Sequence, residues 1–151
     1  LKLLHDNLSW IGAPTYTEEE QAFARALQAN TGKPTVGMKA ALAPLAPILP
    51  DPPGGSTDVG DVSQVVPTLH FYGATAPAEV PWHAWPVVAT SGMSIGHKGM
   101  MMASKALAAT AVDLFTDAAV REKITAEFAQ KTKGMTYKWL VPDGPPPIRK
   151  P

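Results

Sequence analysis

Length, composition and charge exclude several classes of protein. The 151 residues suffice for one domain or a large part of one, and 45% hydrophobic with 17% charged residues is typical of a packed core rather than of a disordered tail. Thirteen basic residues balance thirteen acidic ones, so the basic surplus that nucleic acid or an anionic membrane normally requires is missing. We therefore expect a small-molecule ligand, with no nucleic-acid or membrane partner.

Cysteine is absent from the sequence. This excludes disulfides, thiolate metal sites and cysteine nucleophiles, and it is compatible with a reducing compartment. No stretch approaches the ~18 consecutive apolar residues of a membrane span, and we expect a cytoplasmic protein. The chain opens with Leu1 rather than Met, which favours a piece of a longer polypeptide.

Two helices are predicted in the first 32 residues. Leucines at helical spacing predict a short helix over residues 1–10, and the Gly-Ala-Pro of residues 12–14 stops it. Thr17 and Glu20 form a capping-box pattern, in which each side chain bonds the other residue's backbone N–H. A second helix is therefore predicted from Glu18 to a left-handed cap near Gly32.

The middle of the chain predicts irregular structure followed by two strands. Six prolines between residues 33 and 55 make regular structure improbable there. The β-branched and aromatic runs at residues 65–72 and 82–90 predict strands.

Two further helices are predicted after these strands. The first runs from about Ile95 to Phe115, and its apolar residues at steps of three or four predict a buried face against the strand containing Leu69 and Phe71. This face comprises Met100, Ala103, Leu107, Ala111 and Leu114. Asp117 caps the second helix, whose buried face is predicted to be Val120, Ile124 and Phe128, and residues 141–151 form a proline-rich tail. The fold class is therefore α/β, with helices packed on a few strands of a mixed sheet.

His97 is the first candidate site residue. It lies between two glycines at the start of the long helix, in the segment SIGHKGM of residues 94–100. The glycines permit close backbone approach, and the positive end of the helix disfavours a protonated ring, which leaves a nitrogen lone pair for a metal. The alternative from the residues alone is an ordinary capping or surface histidine.

The glycine-rich stretch of residues 54–61 is the second candidate. Its backbone N–H groups are suited to an anion such as a carboxylate, and Asp58 and Asp61 have the chemistry of metal ligands or of residues that orient one. The alternative is a loop in which the aspartates cap their own turns.

The remaining histidines and methionines favour structural interpretations. His70 is expected in the core of a strand, His83 in an aromatic cluster that packs or lines a pocket, and His5 on the solvent face of the first helix. The run of three methionines from Met100 is expected in the helix core, because consecutive residues point around a helix and do not converge on a metal.

At these two motifs the sequence resembles a known family. The segments are GSTDVGDVS at residues 55–63 with VPT at 66–68, and SIGHKGM at residues 94–100; GAP at 12–14, TEEEQAFA at 17–24 and the region 137–147 also fit. They resemble the aminobenzoyl-glutamate hydrolase branch of the aminoacylase/carboxypeptidase superfamily of metal-dependent amidohydrolases. The resemblance covers nearly the whole chain.

The resemblance implies a three-layer metallopeptidase catalytic domain, of which residues 1–151 are the C-terminal segment, without the N-terminal half and the inserted lid or dimerisation domain. Such enzymes use two divalent metal ions, zinc or manganese, to activate the water that attacks an amide carbonyl. The last metal ligand maps onto His97, and the substrate-binding loop maps onto Gly55, Ser56, Thr57 and Asp58.

The resemblance also implies what this segment lacks. The other ligands and the catalytic glutamate belong to the N-terminal half, so no catalytic residue is expected here. The chain alone is expected to be inactive, because one histidine does not hold a dimetal centre.

The expected function is hydrolysis of the amide bond of an N-acyl amino acid, with aminobenzoyl-glutamate as the leading substrate, by an enzyme that is a homo- or hetero-oligomer when complete. Two other classes stay open. One is a non-catalytic module that keeps the fold and binds carboxylates through its glycine-rich loop, and the other is a structural interaction protein. An upstream coding sequence with a His-x-Asp pair and a Glu-Glu pair discriminates the enzyme from both.

Overall fold

The computed structural model describes residues 1–45, 57–139, 141 and 143–145, and the secondary structure of these residues is entirely helical. They contain six helices and no strand. In chain order the helices are α1 (Lys2–Ile11), α2 (Glu18–Asn30), α3 (Val59–Val65), α4 (Trp85–Ser91), α5 (Ser94–Thr116) and α6 (Ala118–Lys131).

The predicted α/β fold, with helices on a mixed sheet in a three-layer arrangement, is wrong for this structure. The first predicted strand begins at the last residue of α3 and continues as irregular chain through residues 67–75. The second is replaced in large part by α4. Pro86 lies in the first turn of that helix, where its missing N–H costs nothing, and Thr90 Oγ1 bonds the carbonyl of Pro86 at 3.1 Å. Apolar runs of this length do not distinguish a strand from a short helix.

Helix α1 packs along α5 and forms the first core cluster. Leu4 and Leu8, only 3% and 7% exposed, contact Ala106, which is fully buried. Small Ala106 lets the two helices approach closely. At the edge of this contact the Asn7 amide donates to Thr110 Oγ1 at 3.2 Å and to the Asp113 carboxylate at 2.7 Å. The predicted first helix is therefore confirmed, and α5 is its partner.

Helix α2 carries the second core cluster, which joins it to the start of α5. Ala24, Met38 and Ile95 are buried together here. Fully buried Gln28 ties two loops to the helix, since its Oε1 accepts from Gly37 N at 2.7 Å and its Nε2 donates to the Ala78 carbonyl at 2.9 Å. The second cluster therefore fixes the N-terminal end of α5 against α2.

The long helix α5 is confirmed, but the face assigned to its core is wrong. Met100 and Leu107 are 54% and 55% exposed, and the other members of that stripe are only half-buried, namely Ala103, Ala111 and Leu114. The buried residues are Ile95, Gly96, Gly99, Ala106 and Thr110. A stripe displaced by one residue is rotated by about 100° around the helix. The prediction followed the large apolar side chains of α5. In the structure, close packing of the backbone buries mainly its small residues, such as Gly96, Gly99 and Ala106.

Helix α6 begins where predicted but does not bury the predicted face. Asp117 caps it by accepting from Val120 N at 3.1 Å. Val120, Ile124 and Phe128 are only half-buried, because the main helix contact of α6 in the described chain is with α5.

Large apolar side chains lie on the surface of the described chain. Trp10 is 80% exposed, and Tyr72 and Phe115 are both 85% exposed. These three aromatic side chains are therefore largely uncovered in the described part of the chain. Among the described residues, no helix combines the length and apolarity needed to cross a membrane.

Candidate functional site

His97 lies in the first turns of α5, which begins at Ser94. Its backbone N–H bonds the carbonyl of Met93 at 2.9 Å, and its side chain is exposed. Within the part of the chain that the structure describes, the ring makes no hydrogen bond to the protein. Met93, the N-cap residue, supplies no side-chain cap. The interpretation of His97 as a helix cap therefore has no hydrogen bond to support it.

The carboxylate of Glu20 on α2 binds the first turn of α5 from outside. Its Oε1 accepts a hydrogen bond from the Ser94 hydroxyl at 2.5 Å, and its Oε2 accepts from the Lys98 ammonium at 2.5 Å. The same Oε2 accepts from Thr17 N at 2.7 Å, which completes the predicted capping box with the Thr17 hydroxyl 3.2 Å from Glu20 N. One side chain thus caps α2 and binds α5.

The electrostatics of this cluster follow from its contacts. The ammonium of Lys98, then the Ser94 hydroxyl and the Thr17 N–H, lower the pKa of Glu20 from 4.5 to about 2. Lys98 also lies over the ring of Tyr16, 5.5 Å from its centroid. Burial and the nearby Glu20 charge raise the pKa of Tyr16, whose hydroxyl is buried without a hydrogen-bond partner in the described chain.

Two glycines hold the same turn against neighbouring backbone. A Cβ atom on Gly96 would lie 2.3 Å from the carbonyl oxygen of Ser91, and one on Gly99 would lie 2.2 Å from that of Ala74. No side chain fits at these distances, so the prediction that the glycines flanking His97 allow close approach is confirmed. Glu20, Ser91 and Ala74 thus all approach this turn, while His97 is exposed.

The predicted substrate loop is described only in part. Gly55 and Ser56 lie outside the described residues. Thr57 and Asp58 are exposed at the start of α3, where Thr57 Oγ1 accepts from Val59 N at 3.3 Å and Asp58, the N-cap residue, makes no side-chain cap. The interpretation of Asp58 as a cap of its own turn therefore has no hydrogen bond behind it.

Asp61 is engaged by a distant part of the chain. Its carboxylate accepts a hydrogen bond from the Tyr137 hydroxyl, and this contact raises the pKa of Tyr137. The contact joins two of the segments that carried the family resemblance. No hydrogen bond or ion pair in the described chain joins His97 to Thr57, Asp58 or Asp61.

The other three histidines lie outside this turn. His70 is exposed and stacks on Tyr72 with ring centroids 5.6 Å apart, so the prediction of a core histidine is wrong. His83 is exposed at a positive φ of 60°. His5 is half-buried, with Nε2 3.3 Å from the carbonyl oxygen of Ala43.

The described residues bring no group of three or more His, Asp or Glu side chains into metal-binding proximity. Two shallow depressions lie elsewhere, one between Trp10 and α5 and one on α6, and neither is lined by His97, Thr57 or Asp58. The candidate metal ligands His97, Asp58 and Asp61 therefore do not form a metal-binding group within the described residues.

The sequence did not reveal the contact between Glu20 and Lys98. The capping box accounted for Glu20 as a local residue of α2, and a lysine 78 positions later carries no signal of pairing. The first turn of α5 contains no acidic residue. That absence is the one sign in the sequence that negative charge near this helix end comes from another part of the chain.

Comparison with known proteins gives one informative relative, a subunit of the p-aminobenzoyl-glutamate hydrolase of Escherichia coli (strain K12). The chain is 30% identical to it over an alignment of 173 positions that covers 97% of the chain, but spans only 36% of the length of that curated relative. No family model matches the chain, and no solved structure matches it. Over nearly its whole length the chain is therefore related to a part of this hydrolase, and the resemblance to aminobenzoyl-glutamate hydrolases is confirmed.

Proposed function

We propose that this chain is part of a metal-dependent amidohydrolase that cleaves the amide bond of an N-acyl amino acid, with aminobenzoyl-glutamate as the leading substrate. The observation that carries the proposal is the presentation of His97. Its ring is exposed and free of hydrogen bonds within the described chain, while the turn beneath it is held by Glu20 and by the close packing of Gly96 and Gly99. A fixed turn with an unengaged imidazole suits a metal ligand.

The chemistry of the donor set fits one contribution to a larger centre. A zinc or manganese ion polarises the amide carbonyl and activates water when bound. His97 offers one ring nitrogen, and polypeptide outside this chain supplies the remaining ligands and the general base of a centre for two ions. Thr57 and Asp58, with Gly55 and Ser56 preceding them, contribute to binding the substrate. The chain by itself is inactive under this proposal.

Assembly and location are part of the same proposal. The relative is named as one subunit of a hydrolase, and the exposed Trp10, Tyr72 and Phe115 side chains suit burial by further polypeptide, in an oligomer of like or unlike chains. A cytoplasmic location stays a prediction.

The experiment is a comparison of histidine variants in the complete enzyme. His97→Ala removes one metal ligand, so we expect the bound metal measured by elemental analysis to fall and hydrolysis to drop far more than substrate binding. His70→Ala and His83→Ala, which change exposed histidines outside this turn, serve as matched controls with normal metal content. Full metal occupancy and normal turnover in His97→Ala would show that the ligand assignment is wrong.

The second candidate is an interaction module without catalysis. The strong exposure of Trp10, Tyr72 and Phe115 favours it, because a bound protein partner would cover such side chains. A complete polypeptide that binds its partner but contains no metal and cleaves no N-acyl amino acid would favour this alternative.

A further inference from the structure

We infer that Glu20, acting through Ser94 and Lys98, is a positioning residue that holds His97 in the orientation a metal centre requires. The inference rests on the proposed function, because it concerns the assignment of His97 as a ligand. It extends that assignment to a side chain on another helix, 77 positions earlier in the chain. None of the three residues contacts the metal in this scheme, and their role is to fix the turn that bears the ligand.

The geometry of the contact suits this role. Ser94 and Lys98 are one helical turn apart, and the two oxygens of one carboxylate bind both at 2.5 Å. Two bonds one turn apart add to the close packing of Gly96 and Gly99 and restrict the rotation of this helix end. His97 lies inside the bracketed turn, with its side chain about 100° around the helix from Lys98.

The start of α5 needs an outside partner because it lacks one of its own. Met93 provides no side-chain cap, and no acidic residue lies in the first turn. Unsatisfied N–H groups and the positive end of the dipole favour fraying at such an end. Glu20 supplies the missing negative charge from α2, where the capping box in turn fixes its own side chain.

Burial distinguishes this ion pair from the others. The side chains of Glu20 and Lys98 are 10% and 33% exposed. Glu18, in the same turn of α2, pairs with Arg25 on its own helix and is 82% exposed. An exposed pair of that kind contributes little. The Glu20 contact instead joins two helices and is largely shielded from solvent, so its loss should loosen the first turn of α5.

The test measures zinc binding by the complete enzyme, with a chromogenic chelator as competitor for added Zn²⁺. We expect Glu20→Gln and Lys98→Met each to weaken zinc binding about tenfold or more, as for other residues that orient a ligand. Glu18→Gln is the matched control, and its zinc affinity should stay within about twofold of the parent because its pair is exposed. Lys98→Arg keeps a cation for Glu20 and should restore most of the affinity lost in Lys98→Met.

A second measurement separates positioning from general destabilisation. Hydrogen exchange should speed up at the amides of residues 94–99 in Glu20→Gln, while the amides of α1 and the far half of α5 keep their protection. If Glu20→Gln does not fold, Ser94→Ala and Lys98→Met decide the question, since both leave the capping box of α2 intact.

The outcomes distinguish this inference from the proposed function. Unchanged zinc affinity in Glu20→Gln and Lys98→Met, together with metal loss in His97→Ala, would overturn the positioning role alone. Full zinc content in His97→Ala would overturn both. Equal zinc loss in Lys98→Arg and Lys98→Met would also count against positioning, because the cation would then not be what matters.

Discussion

The register of α5 is tested by one pair of substitutions of the same chemical kind. Leu4 is 3% exposed and contacts Ala106 in the core, whereas Leu107, the neighbour of Ala106, is 55% exposed. Leu4→Ala leaves a cavity among α1 and α5 and should lower the free energy of unfolding by about 2–5 kcal/mol. Leu107→Ala opens no cavity. Full burial of a leucine contributes about 1.5–3 kcal/mol, and less than half of Leu107 is covered, so its loss should be about 1 kcal/mol or less.

Urea denaturation followed by far-UV circular dichroism measures both changes. The comparison holds where the slope with urea is unchanged, since only the midpoint then reports stability. If Leu4→Ala proves too unstable to show a folded baseline, Leu4→Val creates a smaller cavity and preserves the order of effects. Equal losses at Leu4 and Leu107 would refute the register, because they would place the stripe through Leu107 in the core.

Three further predictions follow from named contacts. Gly96→Ala should lower the free energy of unfolding by about 1–3 kcal/mol, because its Cβ would meet the Ser91 backbone. Gly92, with open space around it and a φ of −90°, provides the control: Gly92→Ala should be neutral or stabilising by up to about 1 kcal/mol in thermal melts. Glu20→Gln should remove a stabilising contribution that is full above pH 4.5 and is lost as the pH falls toward the lowered pKa of about 2; acid unfolding curves that superimpose across this window would contradict it. Gln28→Leu should cost at least about 1–3 kcal/mol in urea melts, because a backbone N–H and a carbonyl lose their buried partner.

The helices that sequence predicted correctly are those with local signals. The capping box of Thr17 and Glu20 and the Asp117 cap each involve residues three apart, so the chain near them contains the whole interaction. The long α5 follows from a run of good helix formers without proline. These features are local, and a single sequence shows them.

The two strand predictions were wrong for a physical reason. A strand is stable only with a neighbour to accept its backbone hydrogen bonds, and the β-branched content of residues 65–72 says nothing about whether a partner exists. Residues 67–75 are irregular in the described chain. Pro86 was read as a strand residue although it suits the first turn of a helix equally well. The buried face of α5 was mispredicted for a similar reason. Gly99 is buried because the backbone of Ala74, 25 positions earlier in the chain, comes close to it.

In the candidate site, too, the features that depend on neighbouring residues were predictable and those that depend on distant residues were not. His97 stands out because its glycine neighbours and its place at a helix start are adjacent in sequence, and Gly96 and Gly99 do pack as such a motif requires. The side chain that holds this turn is on α2, and its partnership with Lys98 exists only in the fold. Glu20 is recognisable from sequence as part of the α2 cap, but its contact with the first turn of α5 is not, because Ser94 and Lys98 are more than 70 positions away. A candidate ligand such as His97 is therefore easier to recognise from sequence than the contacts that hold its turn, because the candidate needs only a chemical group and those contacts exist only in the tertiary structure.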